Sequence, residues 1–432
     1  MGALARRRHI LELLRKASSL AVHLFIIRIL SMAGFFIALW LCPVNIFANV
    51  GLYLASLSLG NLAIFGRYDL LIINANDEQQ CIDAVHLCTG VAAGAVAVAL
   101  VVSQFFETWI ALYFAIALFA RGWLRLGLTF ATRYGRYDRA LKALFPHAIA
   151  QPFILVYLIQ YGQDPLFAFI LSDIIGHFIA AASVGISEWR AFNLSFRHRF
   201  RYRQVANMAR ANSTLPSVNL TAAASAFLFA ITPLFFLPSV TNGVLAGTLA
   251  VLIRILDVPT SLMSSALQPI LAKDVTDRNR SENKQIPRST FVLPIIVATI
   301  IFGSISLGAT VLNGLHLADN WHLALTLLPS VALFQASIAA ASPLIDVATL
   351  VGRQQGLLTF NFAAVAAAVS AFFLWGHDPI FAIIVTGAIG FARVIAISAW
   401  LLVSGNDRFP PSSPEGERET STQTGASNLL AP

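Results

Sequence analysis

The sequence predicts an all-α polytopic membrane protein of about 12 spans in two similar halves, and three observations predict it. Hydrophobic residues make up 57% of the 432-residue chain and charged residues 12%, about half the ~25% charged share of globular domains. Apolar runs of the ~20 residues that a bilayer requires follow one another almost end to end. A unit of similar grammar also recurs, at residues 45–72 and 242–277. Each joins a short polar turn to a small-residue helix start, with charges further on. Superposing the two lays Val50–Gly51 over Ala246–Gly247. Each unit stands second in a half of similar size, as an internal duplication requires.

The elements follow in order. Residues 1–18 (MGALARRRHILELLRKAS) are basic with an amphipathic core. The next apolar run, 19–41, is too long for a signal-peptide core and lacks a convincing cleavage site, so it reads as the first span. Further spans fall at roughly 46–66, 81–105, 109–130, 144–161, 166–187, 213–237, 243–271, 289–313, 321–351, 356–375 and 380–403. The chain thus divides into an N-lobe at 19–187, a basic connector at 188–212 and a C-lobe at 213–403. The tail, 404–432, is polar and rich in Pro, Ser and Thr, the composition of a disordered segment. Pro216, Pro233, Pro259, Pro269, Pro329 and Pro343 fall within the later spans, where proline kinks a helix beside cavities. Cys42, Cys81 and Cys88 form no CxxC, and the histidines are scattered, which argues against a disulfide framework or a metal site.

Orientation follows from the loops. With the N-terminus inside, the inner segments hold Arg6, Arg7, Arg8, Arg67, Arg133, Arg136, Arg139, Lys142 and the arginines of 190–210. The opposite turns (CPVN, FET, GQDP, PSVTN, GLHLADN and GHDP) hold no Lys or Arg. Positive charge stays on the cytoplasmic side, which places both termini there. The net charge of +8 is therefore a product of topology and gives no ground for nucleic acid as a partner. Basic segments such as 190–210 also suit anionic headgroups, so membrane lipids are expected partners.

A few charges remain inside the spans. Arg28 lies midway through the first, Arg254 and Asp257 in the eighth, and Arg393 in the twelfth; Asp173 and His177 share one face of the sixth at i, i+4. Arg121, Arg125 and Asp346 lie nearer inner ends, where long side chains snorkel. Each mid-depth charge costs on the order of 2.5–3.5 kcal/mol, so it needs a partner, water or a function. Three deep arginines against two carboxylates predict a cationic interior. An arginine fork suits phosphate, so Arg28, Arg254, Arg393 and Asp257 are the candidate cavity residues. The other reading of the same residues is structural: Arg254 pairs with Asp257, and the rest bond to backbone carbonyls. Asp173 with His177 is either a proton-coupling couple or a helix-packing hydrogen bond.

The sequence contains no catalytic constellation and no P-loop. Its outer turns are too short for the periplasmic loop of a membrane glycosyltransferase, so no enzyme activity and no cofactor are expected. A proton or sodium gradient is the energy source left open.

The segment PVNIFANVGLYLASLSLGNLAIFGRYDLLIINANDEQQ (43–80) resembles the second-span signature of Wzx-type polysaccharide repeat-unit flippases, within the multidrug/oligosaccharidyl-lipid/polysaccharide (MOP) exporter superfamily. Residues 201–271, RYGRYDRALKAL (133–144) and GRQQ (352–355) resemble the same family in order and spacing. The chain departs from it at Asn49–Val50, where the family turn is acidic, and at Asp69, where Glu is commoner. The resemblance implies two lobes related by a pseudo-twofold along the membrane normal, with a cavity that opens alternately to either side. It implies transport of an undecaprenyl-pyrophosphate-linked oligosaccharide from the cytoplasmic to the periplasmic leaflet of a bacterial inner membrane, for surface polysaccharide synthesis. It places Arg67 and Asp69 at the cytoplasmic entrance, and it brings in a polymerase and other polysaccharide-assembly proteins as partners. Two rival readings stand beside it: a drug/cation antiporter of the same superfamily, and a non-transporting scaffold of a glycan-assembly complex.

Overall fold

The computed structural model describes residues 26–27, 29–75, 77–105, 109–134, 136–240, 243–279, 289–315, 321–350 and 353–404. Arg28, the 1–18 segment and all of the tail beyond residue 404 lie outside the described residues. Within them the chain is helical throughout. Ten helices are long and apolar enough to cross a membrane, and two shorter apolar helices, Ile29–Leu41 and Leu144–Gln160, complete a set of twelve.

The N-lobe contains α1 (Ile29–Leu41), α2 (Ile46–Ala63), the short α3 (Asp69–Asn74), α4 (Glu78–Phe105), α5 (Trp109–Arg133), α6 (Tyr137–Gln160) and α7 (Pro165–Ser187). Two amphipathic helices, α8 (Trp189–Arg197) and α9 (Tyr202–Ala211), form the connector. A π-helical turn, Leu215–Leu220 with Pro216 near its start, leads into α10 (Thr221–Val240). Proline lacks the amide hydrogen that a regular turn would use there. The C-lobe continues through α11 (Gly243–Asn279), α12 (Ser289–Gly314), α13 (His322–Leu350), α14 (Gln354–Trp375) and α15 (Pro379–Ser404).

The last helix of each lobe starts on the same local chemistry. Asp164 caps α7, its Oδ1 accepting from the Phe167 amide at 3.0 Å, with Pro165 in the first turn. Asp378 does the same for α15, accepting from the Phe381 amide at 3.1 Å ahead of Pro379. An Asp cap followed by Pro satisfies an orphan amide and presets the helical φ. The runs GQDPLFA and GHDPIFA therefore open equivalent helices in the two halves.

Each lobe has its own core. Tyr53, Leu57, Ile64, Phe65, Phe130 and Ile170 belong to the N-lobe core, while Phe229, Leu249, Phe302, Phe334, Leu344 and Phe372 belong to the larger C-lobe core. A third cluster crosses the seam, where Phe47, Val50 and Phe169 meet Ala250 and Val251. Here α2 and α11 touch through the two recurring glycines. A Cβ on Gly51 would sit 2.9 Å from that of Ala250, and one on Gly247 would overlap the Val44 carbonyl outright. Small residues let the two backbones approach this closely. The contact seals the seam at the end where α2, α5, α7 and α11 begin.

Candidate functional site

Beside the glycine seal, from Gly51 and Ala250 onward, the lobes part around a cleft of about 210 Å³, lined by α1, α2, α10, α11 and α13. Its walls are mostly apolar and aromatic, with Phe35, Phe47 and Phe227; Ser58, Gln335, Arg254 and Asp257 supply the polar groups. Apolar walls with a few placed polar groups are the usual build of a ligand pocket. The Arg254 and Asp257 side chains are 43% and 45% exposed, and Nη1 to Oδ2 measures 3.9 Å, the outer limit of an ion pair. The i, i+3 spacing thus brings the two together, as expected. Arg254 also lines a smaller pocket of about 40 Å³ that reaches into the N-lobe to Tyr53 and Gln151.

Arg393 does not line this cleft, contrary to expectation. It is 5% exposed inside the C-lobe, its guanidinium carbon 4.3 Å from the Phe229 ring centroid. Its Nε and Nη1 find no hydrogen-bond partner among the described residues. The face of α15 that carries it packs against α10 and α13, so depth in the membrane does not translate into exposure to the cavity. Arg28 lies outside the described residues. Among the described lining residues, the charges of the cleft are Arg254 and Asp257.

Asp69, expected at the entrance beside Arg67, is held in a pair between helices. Glycine-like backbone at Gly66 and Arg67 (φ +56° and +65°) breaks α2 from α3 and turns Asp69 inward. Asp69 is buried, and Arg125 reaches it from α5 with Nη2 to Oδ2 at 2.7 Å. Arg125 also donates to the Asn61 and Leu62 carbonyls at the end of α2. Arg125 thus pairs across helices instead of snorkelling. Arg133 donates to the Ile72, Ala75 and Asp77 carbonyls, which closes the C-terminal end of α3.

Asp173 and His177 stand together and have company that the sequence does not announce. Arg121 of α5 donates from Nη2 to both Asp173 oxygens, at 2.9 and 3.0 Å. His177 Nδ1 lies 2.8 Å from the Asp173 carbonyl and 3.3 Å from its Oδ1. Two acceptors beside Nδ1 assign the hydrogen to that nitrogen, so His147 Nε2, 3.2 Å away, faces it as an acceptor. The histidines, scattered along the sequence, meet in space. The ligand atoms of His147, Asp173 and His177 all lie within 4.8 Å of one another. These four groups, on α5, α6 and α7, form one connected polar cluster inside the N-lobe.

No protein family's sequence profile matches the chain, and no curated protein matches it in sequence. Solved structures match its fold. The lipid II flippase MurJ, in an inward closed conformation, superposes with a TM-score of 0.65 at 10% identity, over 89% of this chain and 90% of that one. A mutant form of the MATE transporter VcmN of Vibrio cholerae gives 0.59 at 15% identity, over 89% and 98%. A MOP-superfamily transporter from Pyrococcus furiosus, described as having a binding pocket of reversed polarity, gives 0.57 at 12%, over 91% and 97%. The chain therefore has the fold shared by MurJ and the MATE transporters of the MOP superfamily, with all-helical lobes around a central cleft.

Proposed function

We propose that the chain is a multi-pass transporter that carries a pyrophosphate-linked lipid oligosaccharide across the membrane by alternating access through the inter-lobe cleft. The observation that carries this reading is Arg254: a half-exposed guanidinium on a helix wall, beside the half-exposed Asp257, within a mostly apolar and aromatic cleft between two lobes. Arginine binds a phosphate bidentately and stays charged. Ser58 and Gln335 add hydrogen-bonding groups that sugar hydroxyls can use. With the basic side cytoplasmic, the Gly247 seal is at the periplasmic end and this conformation faces inward. The carrier is an undecaprenyl chain in this reading, the membrane is a bacterial inner membrane, and a polymerase receives the glycan.

Arg254→Gln and Arg254→Ala, at unchanged membrane level, are expected to abolish export of lipid-linked glycan, and Arg254→Lys to retain part of it. Wild-type export by Arg254→Gln would overturn the proposal. Export of organic cations is the second reading, favoured by the half-exposed Asp257. It makes the opposite demand, that Asp257→Asn silence transport and Arg254→Gln spare it.

The Arg121–Asp173–His177–His147 chain is the proposed coupling element, and the proton is the proposed ion. His177→Gln leaves the Asp173–Arg121 pair in place while removing a titratable link. It is expected to uncouple transport from the proton gradient without loss of substrate binding. A fully gradient-driven His177→Gln variant would assign the chain to packing alone.

A further inference from the structure

The N-lobe carries a second cavity, of about 730 Å³, which the transport cleft does not use. It lies at the sealed end of the lobe, between the first turns of α2, α5 and α7 and the last turns of α4. Here α4 stands away from the bundle. A Cβ on Gly90 or Gly94 would meet nothing within 4 Å, and Val98, which lines the cavity, is 63% exposed. The cavity therefore opens sideways, through a surface that the apolar side chains of α4 turn toward lipid. Its interior is apolar, with Ala95, Phe114, Leu118 and Ile170 among its walls.

Asn49, Tyr53 and Ser56 are the polar groups of its lining, and Tyr53 is the buried one. It is 7% exposed, and its hydroxyl has no hydrogen-bond partner among the described residues. A buried hydroxyl left unpaired costs free energy until something accepts its hydrogen bond. Tyr53 and Ile170 line this cavity and also the 40 Å³ pocket that Arg254 reaches. One layer of side chains thus separates a lipid-facing apolar cavity from the small pocket, which in turn shares Phe35, Val50, Leu54 and Arg254 with the cleft.

We propose that the cavity binds the apolar chain of the lipid-linked substrate, with the Tyr53 hydroxyl donating to the phosphate oxygens where chain and head join. The assignment rests on the reading of the cleft as a pyrophosphate-lipid site. A hydrocarbon chain gains nothing from a polar cleft and is held in an apolar cavity by the hydrophobic effect. A head-group in the cleft needs its chain to leave sideways, and this cavity adjoins the small Arg254 pocket on one side and lipid on the other. Tyr53 and Arg254, both on the small pocket, mark where the phosphates would lie.

The test uses the full-length protein in nanodiscs, with undecaprenyl pyrophosphate, undecaprenol and inorganic pyrophosphate as probes. Ala95→Trp fills the cavity without touching a charged residue. It is expected to weaken undecaprenyl pyrophosphate and undecaprenol by roughly tenfold or more, a change of the size that one large apolar contact produces, and to leave inorganic pyrophosphate unchanged. Tyr53→Phe, which keeps the ring and loses only an unpaired hydroxyl, carries the test if the tryptophan disturbs folding. It is expected to weaken undecaprenyl pyrophosphate roughly tenfold, as loss of a hydrogen bond to a charged group does, and to leave undecaprenol unchanged. If inorganic pyrophosphate binds in an Arg254-dependent manner while neither variant weakens undecaprenyl pyrophosphate, the cavity proposal is overturned and the cleft reading stands. If inorganic pyrophosphate does not bind, the cleft reading fails. Undecaprenol binding then decides the cavity, supporting it if Ala95→Trp weakens that binding and overturning it if not.

Discussion

The two lobes share a fold and differ in what holds them together. In the N-lobe and its connector, charged side chains link elements far apart in sequence: Arg121 to Asp173, Arg125 to Asp69, Arg136 to Glu188 and Arg201 to Asp83, each at 2.7–2.9 Å. Arg136 and Arg201 are about 40% exposed, so their pairs contribute less than the geometry suggests. The first two pairs are largely buried and stand on α5. In the C-lobe, Arg254 and Asp257 form an ion pair within one helix, open to the cleft. Among the described residues, its buried polar contacts between helices include neutral ones, Thr260 to Gln335 at 3.2 Å and the Asn361 amide to the Ala222 carbonyl at 3.1 Å. A duplicated architecture can therefore divide its work, with a charged and titratable lobe moving against an apolar one.

The largest expected effect tests that division directly. Arg121→Met leaves Asp173 buried at 4% side-chain exposure with His177 in place of its guanidinium partner, and breaking a buried pair costs about 3–5 kcal/mol. Thermal unfolding in detergent should show a large loss of stability. The double variant Arg121→Met/Asp173→Leu should recover most of it, because removing both charges of a buried pair is close to neutral. A single variant as stable as the wild type would remove the distinction between the lobes.

A smaller effect is expected at the seam, where the halves meet through equivalent glycines. Gly247→Ala drives a methyl into the Val44 carbonyl, whereas Gly51→Ala meets only the Ala250 methyl at 2.9 Å. Backbone yields less than a side chain does. Gly247→Ala should therefore hold the sealed end open and lower transport severely, and Gly51→Ala should lower it moderately. Cysteine cross-linking between Asn45 and Gly243, where a Cβ on the glycine would lie 3.2 Å from that of Asn45, reads the closure in each variant. Equal closure and equal transport in both would show that the seal does not depend on this contact.

Much of the fold is legible in the sequence because membrane spans announce themselves by length and apolarity. The span expected at 144–161 corresponds to the apolar part of α6, and the one at 356–375 to α14. The correspondence of Val50–Gly51 with Ala246–Gly247 is matched in space, since those glycines stand on the two helices that seal the seam. The GxDPxFA runs, from Gly162 and Gly376, are equally readable as a repeat, but short turns give a weaker signal than spans do. The site is less legible. Depth along a helix says nothing about which face a charge occupies, so the sequence points Arg393 at the cavity although its face of α15 packs inside the lobe. Arg121 and Asp173 lie 52 residues apart and His147 and His177 lie 30 apart; pairing between helices leaves no periodic trace in one sequence.

Arg393 supplies the smallest expected effect and the sharpest check on the comparison. The guanidinium is buried, with Phe229 beneath it and two nitrogens unpartnered among the described residues. Burying a cation without an anion costs free energy, and the cation–π contact offsets about 2 kcal/mol of it when desolvated. Methionine has nearly the length of arginine, keeps the packing on Phe229 and removes both terms. Arg393→Met is therefore expected to change stability by no more than about 1 kcal/mol, in either direction, as apolar replacements of buried charges do. Transport should persist, because the residue does not line the cleft. Loss of stability comparable to that of Arg121→Met would mean that an anion faces Arg393 in the folded protein and that the C-lobe is held by charge as well. Loss of transport at normal stability would place Arg393 on the substrate path in another conformation, and the apolar lobe would then share the binding work that Arg254 is assigned here.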